Sequence, residues 1–208
     1  MTKPGLFLSL DGIDGTGKTT QCRLLVDWLR QEGHDVIACV DPGGTPLGQE
    51  LRAILLSHKH HLAIPCEALL FMASRAQLVA EVIRPALDAG KVVVSDRFVL
   101  ANVVYQGHAG GLDPQQIWQV GRVATGGLMP DCVFVLDMSI DSANSRMNRS
   151  LDRMESQGDQ FRERLRSGFL DEAARAPATL HVIDAGQPID AVHADIWQIA
   201  AKLLRLDY

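Results

Sequence analysis

Residues 12–19 read GIDGTGKT, which matches the phosphate-binding pattern GxxxxGK[ST]. An apolar run at 6–10 precedes this segment, and a helical pattern of apolar residues at 24, 25, 28 and 29 follows it. This is the strand–loop–helix context in which the pattern folds as a P-loop. Its glycines let backbone N–H groups turn inward around phosphate oxygens. The segment therefore predicts a site for a nucleotide phosphate.

Two side chains in the segment add chemistry to the backbone. Lys18 supplies a positive charge beside the helix N-terminus, and the Thr19 hydroxyl is suited to bind Mg²⁺. The predicted phosphate-binding residues are Gly12, Ile13, Asp14, Gly15, Thr16, Gly17, Lys18, Thr19 and Thr20.

Composition narrows the class of protein. The chain has 208 residues, 47% hydrophobic and 22% charged, which fits one α/β domain over residues 1–208. The net charge of -5 argues against a nucleic-acid or membrane-surface partner. The four cysteines show no metal-ligand spacing, so we expect reduced thiols. The first apolar run is too short for a signal peptide. Both features predict a cytoplasmic location.

Short apolar segments alternate with helical patterns along the chain, which predicts a parallel sheet covered by helices on both faces. The predicted strands are 6–10, 36–40, 92–94, 133–136 and 180–183. Three predicted helices are 47–56, with Leu47, Leu51, Ile54 and Leu55 on one face; 66–89, with Leu70, Ala73, Val79 and Ile83 in its apolar stripe and a kink at Pro85; and 189–206. Residues 57–65, with three histidines, are predicted to form a surface connection.

Ligands in such sheets bind at the carboxyl ends of the strands, so the residues that follow each strand are the first to consider. Asp96 and Arg97 follow the predicted third strand. A carboxylate there can reach Mg²⁺, and an arginine can donate two hydrogen bonds to a phosphate. Beside a P-loop, we expect a site here rather than a surface ion pair.

Two further pairs share a helical face. Phe71 and Arg75 are four residues apart, so a ring that can stack on a base lies beside a guanidinium. Asn102 and Tyr105 are three apart and can face one cavity. The structural alternatives are a core phenylalanine, a solvated arginine, a helix cap and a half-buried tyrosine.

Residues 145–166 are rich in arginine, and Arg146, Arg149 and Arg153 fall on one helical face. Acidic residues interleave with them, so the segment is either an exposed salt-bridged helix or a lid. A lid would close over polyphosphate and deliver an arginine to the phosphoryl group, with Gly158 as a point of mobility. Beside a P-loop, the lid is the favoured interpretation.

These motifs continue along nearly the whole chain. They are PGGT at 42–45, EALLF at 67–71 leading to Arg75, DR at 96–97, YQG at 105–107, PD at 130–131, DRME at 152–155, RLR at 164–166 and IDA at 183–185. Because of the order and spacing of these motifs, the chain resembles the bacterial thymidylate kinases. Enzymes of that family phosphorylate dTMP to dTDP with ATP in dTTP biosynthesis.

The resemblance implies a P-loop nucleoside-monophosphate-kinase fold with a five-stranded parallel sheet, a homodimer, dTMP and ATP as substrates, and Mg²⁺. Phe71 would stack on thymine, Arg75 would contact its edge, and Tyr105 would exclude a ribose 2′-hydroxyl. Asp14 would approach the sugar or the acceptor phosphate, Arg97 would hold that phosphate, and Asp96 would help to place the metal with Thr19. The implied substrate-binding residues are Asp14, Pro42, Arg52, Phe71, Arg75, Arg97, Asn102, Tyr105 and Gln106, and the implied catalytic residues are Asp14, Lys18, Asp96, Arg97 and Arg153.

The family divides by whether its catalytic arginine lies in the P-loop or in the lid. Gly15 occupies the P-loop position here, so the resemblance assigns that role to Arg153 in the lid. The chain departs from the family pattern at Val40, Asp41, Phe98, Ala101 and Gly110, and these departures are expected to remove polar contacts around the acceptor site.

Two other functions stay open at this stage. A deoxynucleoside kinase shares a P-loop and an Asp-Arg pair but takes an uncharged acceptor, whereas Arg97 and the lid arginines favour a phosphorylated one. A GTP-binding switch is the second alternative. Against it, the sequence has no NKxD stretch for reading guanine, and DAGQ at 184–187 is only superficially similar to a switch segment.

Overall fold

A computed structural model describes residues 5–147, 153–154 and 157–205. Its centre is a five-stranded parallel sheet in the order β2-β3-β1-β4-β5. The strands are Leu6–Gly12 (β1), Val36–Val40 (β2), Val92–Asp96 (β3), Cys132–Asp137 (β4) and Leu180–Asp184 (β5).

Helical segments connect the strands. They are Lys18–Gln31 (α1), Pro46–Leu56 (α2), Ile64–Leu78 (α3), Arg84–Asp88 (α4), Val99–Asn102 (α5), Pro114–Thr125 (α6), Ile140–Ser145 (α7), Asp159–Arg175 (α8) and Ile189–Leu204 (α9), with π-helical turns at Val79–Ile83 and Val103–Ala109. None of the described helices is long and apolar enough to cross a membrane.

The central strand is buried on both faces of the sheet. Phe7 and Leu8 are consecutive in β1, so their side chains point to opposite faces. Phe7 packs in one apolar cluster with Val93, and Leu8 packs in another with Val94. Helices therefore cover both faces, as the continuous apolar strands predicted.

All five strand predictions are confirmed, and three observed strands extend to a carboxylate. β3, β4 and β5 end at Asp96, Asp137 and Asp184, one or two residues beyond the predicted ends. These residues still pair with neighbouring strands. The sheet therefore presents acidic side chains at its carboxyl edge.

The predicted helix over 66–89 is wrong in detail. It begins at Ile64 and is interrupted by the π-helical turn at Val79–Ile83, directly before the short helix that contains Pro85. Proline lacks an N–H and crowds the preceding turn, and a wider turn there accommodates it. Ala73 is exposed although it was placed in the apolar stripe.

The predicted apolar face of α2 is also only partly buried. Leu55 is buried, but Leu47 and Ile54 are exposed. Periodicity identifies residues that share a face, but it does not say what covers them. The predicted connection at 57–65 is confirmed up to Ala63, and its histidines at 58, 60 and 61 are exposed.

The predicted lid at 145–166 falls between two observed helices and overlaps the second. α7 ends at Ser145 and α8 begins at Asp159. Arg153 is described, whereas Arg149 lies outside the described residues. Gly158 is the N-terminal capping residue of α8, with φ of 83°.

Candidate active site

The P-loop links the carboxyl end of β1 to the first turn of α1. Gly12 and Gly15 have φ of 138° and 91°, in the region that favours glycine. A Cβ at these glycines would lie 2.4 Å from the carbonyl oxygen of Leu136 and 2.3 Å from that of Ala143. Both glycines are therefore required by close approach as well as by φ.

Lys18 lies inside the curve of this loop. Its Nζ donates to the carbonyl oxygen of Ile13 at 2.8 Å and lies 3.5 Å from Asp14 Oδ1. The lysine is buried, so its charge is held among loop carbonyls with little solvent screening. This arrangement places the charge for a polyphosphate beside the N-terminus of α1.

The two predicted metal ligands meet at the mouth of the loop. Thr19 Oγ1 donates to Asp96 Oδ2 at 2.7 Å, joining α1 to the end of β3. In the part of the chain that the structure describes, no three His, Cys, Asp or Glu side chains cluster as a metal site. Mg²⁺ usually takes one or two protein oxygens together with substrate phosphates and water, so a hydroxyl and a carboxylate fit it.

Asp14 joins the P-loop to the opposite wall of the site. Its carboxylate forms an ion pair with Arg97 and accepts a hydrogen bond from Tyr105 Oη at 2.9 Å. Burial alone would raise the pKa of Asp14, but the charges of Arg97 and Lys18 and the Tyr105 hydrogen bond hold this pKa well below its usual range. Asp14 is therefore an ionised carboxylate at the junction.

Arg97 reaches this junction through an unusual backbone conformation. Its φ is 73°, which is uncommon for a residue with a side chain. Its Nη1 donates to the carbonyl oxygen of Gly12 at 3.1 Å, and its guanidinium lies 5.3 Å from the centre of the Tyr105 ring. Ser95 Oγ donates to the Arg97 carbonyl at 2.7 Å. Such conformations persist where surrounding contacts hold them, often at functional sites.

One cavity of about 1520 Å³ opens at the carboxyl edge of the sheet. This volume exceeds the range of about 300–1,000 Å³ that is usual for a single small ligand, so two ligands have room. It is lined by residues 14–20 of the P-loop and by every predicted substrate-binding residue: Asp14, Pro42, Arg52, Phe71, Arg75, Arg97, Asn102, Tyr105 and Gln106. Gly12 and Ile13 form the base of the loop and do not line the cavity.

Arg75 is one of the most buried predicted acceptor residues. It forms an ion pair with Asp41, and its guanidinium lies 5.4 Å from the centre of the Phe98 ring. Burial raises the pKa of Asp41, and the Arg75 charge opposes that rise. For Asp41, the expectation that departures from the family pattern remove polar contacts is wrong, because this carboxylate orients Arg75.

Side-chain amides continue the acceptor wall. Asn102 Nδ2 donates to Gln106 Oε1 at 2.8 Å, and Gln106 Nε2 donates to Glu67 Oε1 at 2.6 Å. Arg52 donates to the carbonyl oxygen of Pro42 at 2.8 Å. These polar groups are therefore held in place by neighbouring side chains and backbone.

The structure does not bring Arg153 to the P-loop. Its Nη2 lies 2.5 Å from Glu67 Oε2, and its Nε donates to the carbonyl oxygen of Leu55 at 2.9 Å. It is also absent from the cavity lining. In this conformation the predicted catalytic arginine is held against α2 and α3.

Sequence reasoning missed two buried charged residues. Arg162 donates from Nη2 to the carbonyl oxygen of Asp14 at 2.9 Å. Asp11 is fully buried in β1, and this burial raises its pKa to about 7. The charges of Arg97 and Lys18 oppose the rise but are outweighed. A carboxylate inside an apolar strand was the one signal for Asp11, while nothing local to Arg162 distinguishes it from its arginine neighbours.

Comparison with known proteins agrees with this geometry. The family model described as Thymidylate kinase matches residues 10–196. A thymidylate kinase of Rhodopirellula baltica is 46% identical over 189 residues, covering 91% of this chain and 77% of that protein. One from Pelotomaculum thermopropionicum is 44% identical over 204 residues, covering 96% and 94%.

A solved structure gives the same result for the fold. The crystal structure of thymidylate kinase from Ehrlichia chaffeensis superposes with a TM-score of 0.78 at 30% identity, covering 95% of this chain and 99% of that one. The five-stranded parallel sheet, the P-loop and the extent of these matches agree, and the chain belongs to the thymidylate kinase family.

Proposed function

We propose that this chain transfers the γ-phosphoryl group of ATP to dTMP. An oxygen of the dTMP phosphate forms the new P–O bond, the bond to the β-phosphate breaks, and dTDP and ADP leave. The observation that carries this proposal is Asp14, which contacts Lys18 on the donor side and both Arg97 and Tyr105 on the acceptor side of one cavity.

The donor side would hold the triphosphate of ATP. Backbone N–H groups of the P-loop, the Lys18 charge and the N-terminal end of α1 all favour an anion there. Thr19 and Asp96 would hold Mg²⁺, which when bound neutralises charge on the phosphates. Positioning and neutralisation supply most of the rate in such reactions.

The acceptor side would hold dTMP. We assign its phosphate to Arg97, the thymine face to Phe71 and the thymine edge to Arg75, which Asp41 orients. Tyr105 is fixed by Asp14 and would occupy the space that a ribose 2′-hydroxyl needs. Pro42, Arg52, Asn102 and Gln106 complete this wall.

Arg153 would become catalytic only after a change of partner. It must leave Glu67 and the carbonyl of Leu55 before it can reach a transferring phosphoryl group. Lid closure over bound ATP would supply that change, because the phosphates replace the carboxylate as its counter-charge. This conformation would then be the open one.

We also propose that the protein is a homodimer. α3 packs against α2 and α6. Leu69 of α3 is 59% exposed, and Val123 of α6 is 82% exposed. Exposed apolar side chains of this size fit burial against a second copy. Sedimentation should give a dimer, and Val123→Glu should give a monomer, while Val182→Glu on β5 should stay dimeric. A monomeric unsubstituted protein would refute the proposal.

We place this single kinase domain in the cytoplasm, since its four cysteines are free. The thiols of Cys39 and Cys132 are poorly reactive, because burial raises the pKa of each to about 12.

ADP release in the presence of ATP and Mg²⁺ tests the function directly. dTMP should be the best acceptor in a panel that also contains thymidine, dUMP, dCMP and dGMP. Faster turnover of thymidine than of dTMP would instead indicate a deoxynucleoside kinase. GTP binding without a phosphorylated product would indicate a switch protein.

A further inference from the structure

Arg162 connects the segment that follows the predicted lid to the P-loop. It lies in the first turn of α8, where its N–H donates to the carbonyl oxygen of Gly158 at 3.2 Å. Its Nη2 donates to the carbonyl oxygen of Asp14 at 2.9 Å, although the two residues are 148 positions apart. The side chain is only 5% exposed, so this contact lies inside the protein.

Arg162 differs from other arginines of the site in how its charge is balanced. Arg75, Arg97, Arg153 and Arg166 each form an ion pair with a carboxylate. Within residues 5–147, 153–154 and 157–205, Arg162 forms none, and its buried Nε has no hydrogen-bond partner. A buried cation is costly without a counter-charge, so a nearby anionic ligand would compensate it.

The hydrogen bond falls on a peptide group that matters for phosphate binding. The carbonyl of Asp14 and the N–H of Gly15 belong to the same peptide, and Gly15 is part of the phosphate-binding loop. A charged donor on the carbonyl oxygen polarises that peptide and strengthens its N–H as a donor. The loop itself carries glycine rather than arginine at position 15. Arg162 instead places a buried positive charge at the carbonyl oxygen of the Asp14–Gly15 peptide.

We propose that Arg162 is a positioning residue for the triphosphate: it fixes and polarises the Asp14–Gly15 peptide and places a positive charge behind the P-loop. Asp14 is then held at its backbone by Arg162 and at its side chain by Arg97 and Tyr105. The proposal rests on ATP as the donor ligand.

The test measures binding of each substrate to Arg162→Gln and Arg162→Lys by titration calorimetry. Arg162→Gln should raise Kd for ATP by about 10- to 100-fold, because a charge-assisted hydrogen bond is lost, and should leave Kd for dTMP within about twofold. Arg162→Lys should recover part of the ATP affinity, because it restores the charge without the forked geometry. Arg175→Gln, on the same helix and paired with Glu172, is the matched control and should bind both ligands normally.

Three results would overturn the proposal. One is an unchanged Kd for ATP in Arg162→Gln. Another is an equal loss of ATP and dTMP affinity together with a lower Tm, which would make the residue merely structural. If Arg162→Gln does not fold, an equal loss of ATP and dTMP affinity in folded Arg162→Lys would refute the proposal. Because binding is measured without turnover, failure of the proposed phosphoryl transfer would appear separately, as absence of ADP release by the unsubstituted enzyme.

Discussion

Arg97 and Arg153 each form an ion pair with a carboxylate, but Arg97 lines the cavity and Arg153 does not. Arg97 pairs with Asp14 inside the cavity, beside Lys18 and Tyr105, where both proposed ligands would bind. Arg153 pairs with Glu67 of α3, outside the cavity lining. The first arginine is in place before any ligand arrives, whereas the second must exchange partners to take part.

This difference separates two ways of stabilising transferred charge. A preorganised group loses no energy to rearrangement during the reaction. A group that arrives with lid closure ties its charge to the presence of substrate and to the exclusion of water. In this enzyme the P-loop side would bind and orient, and the lid side would add the charge that accelerates transfer.

Arg153→Ala should give the largest effect, because it removes the only charge that we assign to the transition state alone. We expect kcat to fall by about 10³-fold or more, in the range known for supplied arginines, with Kd for dTMP nearly unchanged. Single-turnover kinetics would measure the chemical step, and Arg175→Ala is the charge-matched control. A kcat near that of the unsubstituted enzyme would remove Arg153 from catalysis and make its pair with Glu67 structural.

Asp11→Asn should change how the free energy of unfolding depends on pH, because Asp11 is a carboxylate buried directly before the P-loop. Burial raises the pKa of Asp11 to about 7 from 3.8, so the folded chain keeps a proton that the unfolded chain releases. The free energy of unfolding should therefore fall as pH rises from about 4 to about 7, and then level off.

The Asp11→Asn protein lacks this titration. Between pH 5 and pH 8, the free energy of unfolding of the unsubstituted protein should therefore fall by about 3 kcal/mol relative to that of Asp11→Asn. One pKa unit corresponds to about 1.4 kcal/mol. Urea denaturation of both proteins without nucleotide measures it. Parallel pH profiles would mean that Asp11 is ionised normally in the fold.

Arg97→Ala should affect ground-state binding more than chemistry, in contrast to Arg153→Ala. Losing a charged donor to the acceptor phosphate should raise Kd for dTMP by about 100-fold, and Kd for ATP should change much less. Asp14 would also lose its strongest partner and repel the incoming phosphate. Equal effects on both substrates would show that Arg97 supports the whole site rather than the dTMP phosphate.

The sequence was sufficient for the parts of the site that local pattern determines. The P-loop follows from spacing and flanking periodicity, and Asp96 and Arg97 follow from their place at a strand end. Both were found in one cavity with the predicted acceptor residues, because parallel strands bring their carboxyl ends to one edge.

Partner choice among charged side chains could not be predicted in this way. Arg153 and Arg162 are both long, flexible cations in an arginine-rich segment, and only tertiary packing decides that one meets Glu67 and the other the Asp14 carbonyl. Similarly, the apolar pattern of α2 did not reveal that Leu47 is exposed.

Tyr105 offers the finest test of the preorganised region, because its ring and its hydroxyl have separate roles. Tyr105→Phe removes the hydrogen bond to Asp14 but keeps the ring, so turnover with dTMP should fall by about tenfold and the ribonucleotide should still be rejected. Tyr105→Ala removes the ring, so the ratio of kcat/KM for dTMP to that for its ribonucleotide counterpart should drop by about tenfold or more. Measuring both acceptors with both variants separates orientation of Asp14 from exclusion of the 2′-hydroxyl. If Tyr105→Phe admits the ribonucleotide as readily as Tyr105→Ala, sugar selection depends on the position of Asp14 and not on the bulk of the ring.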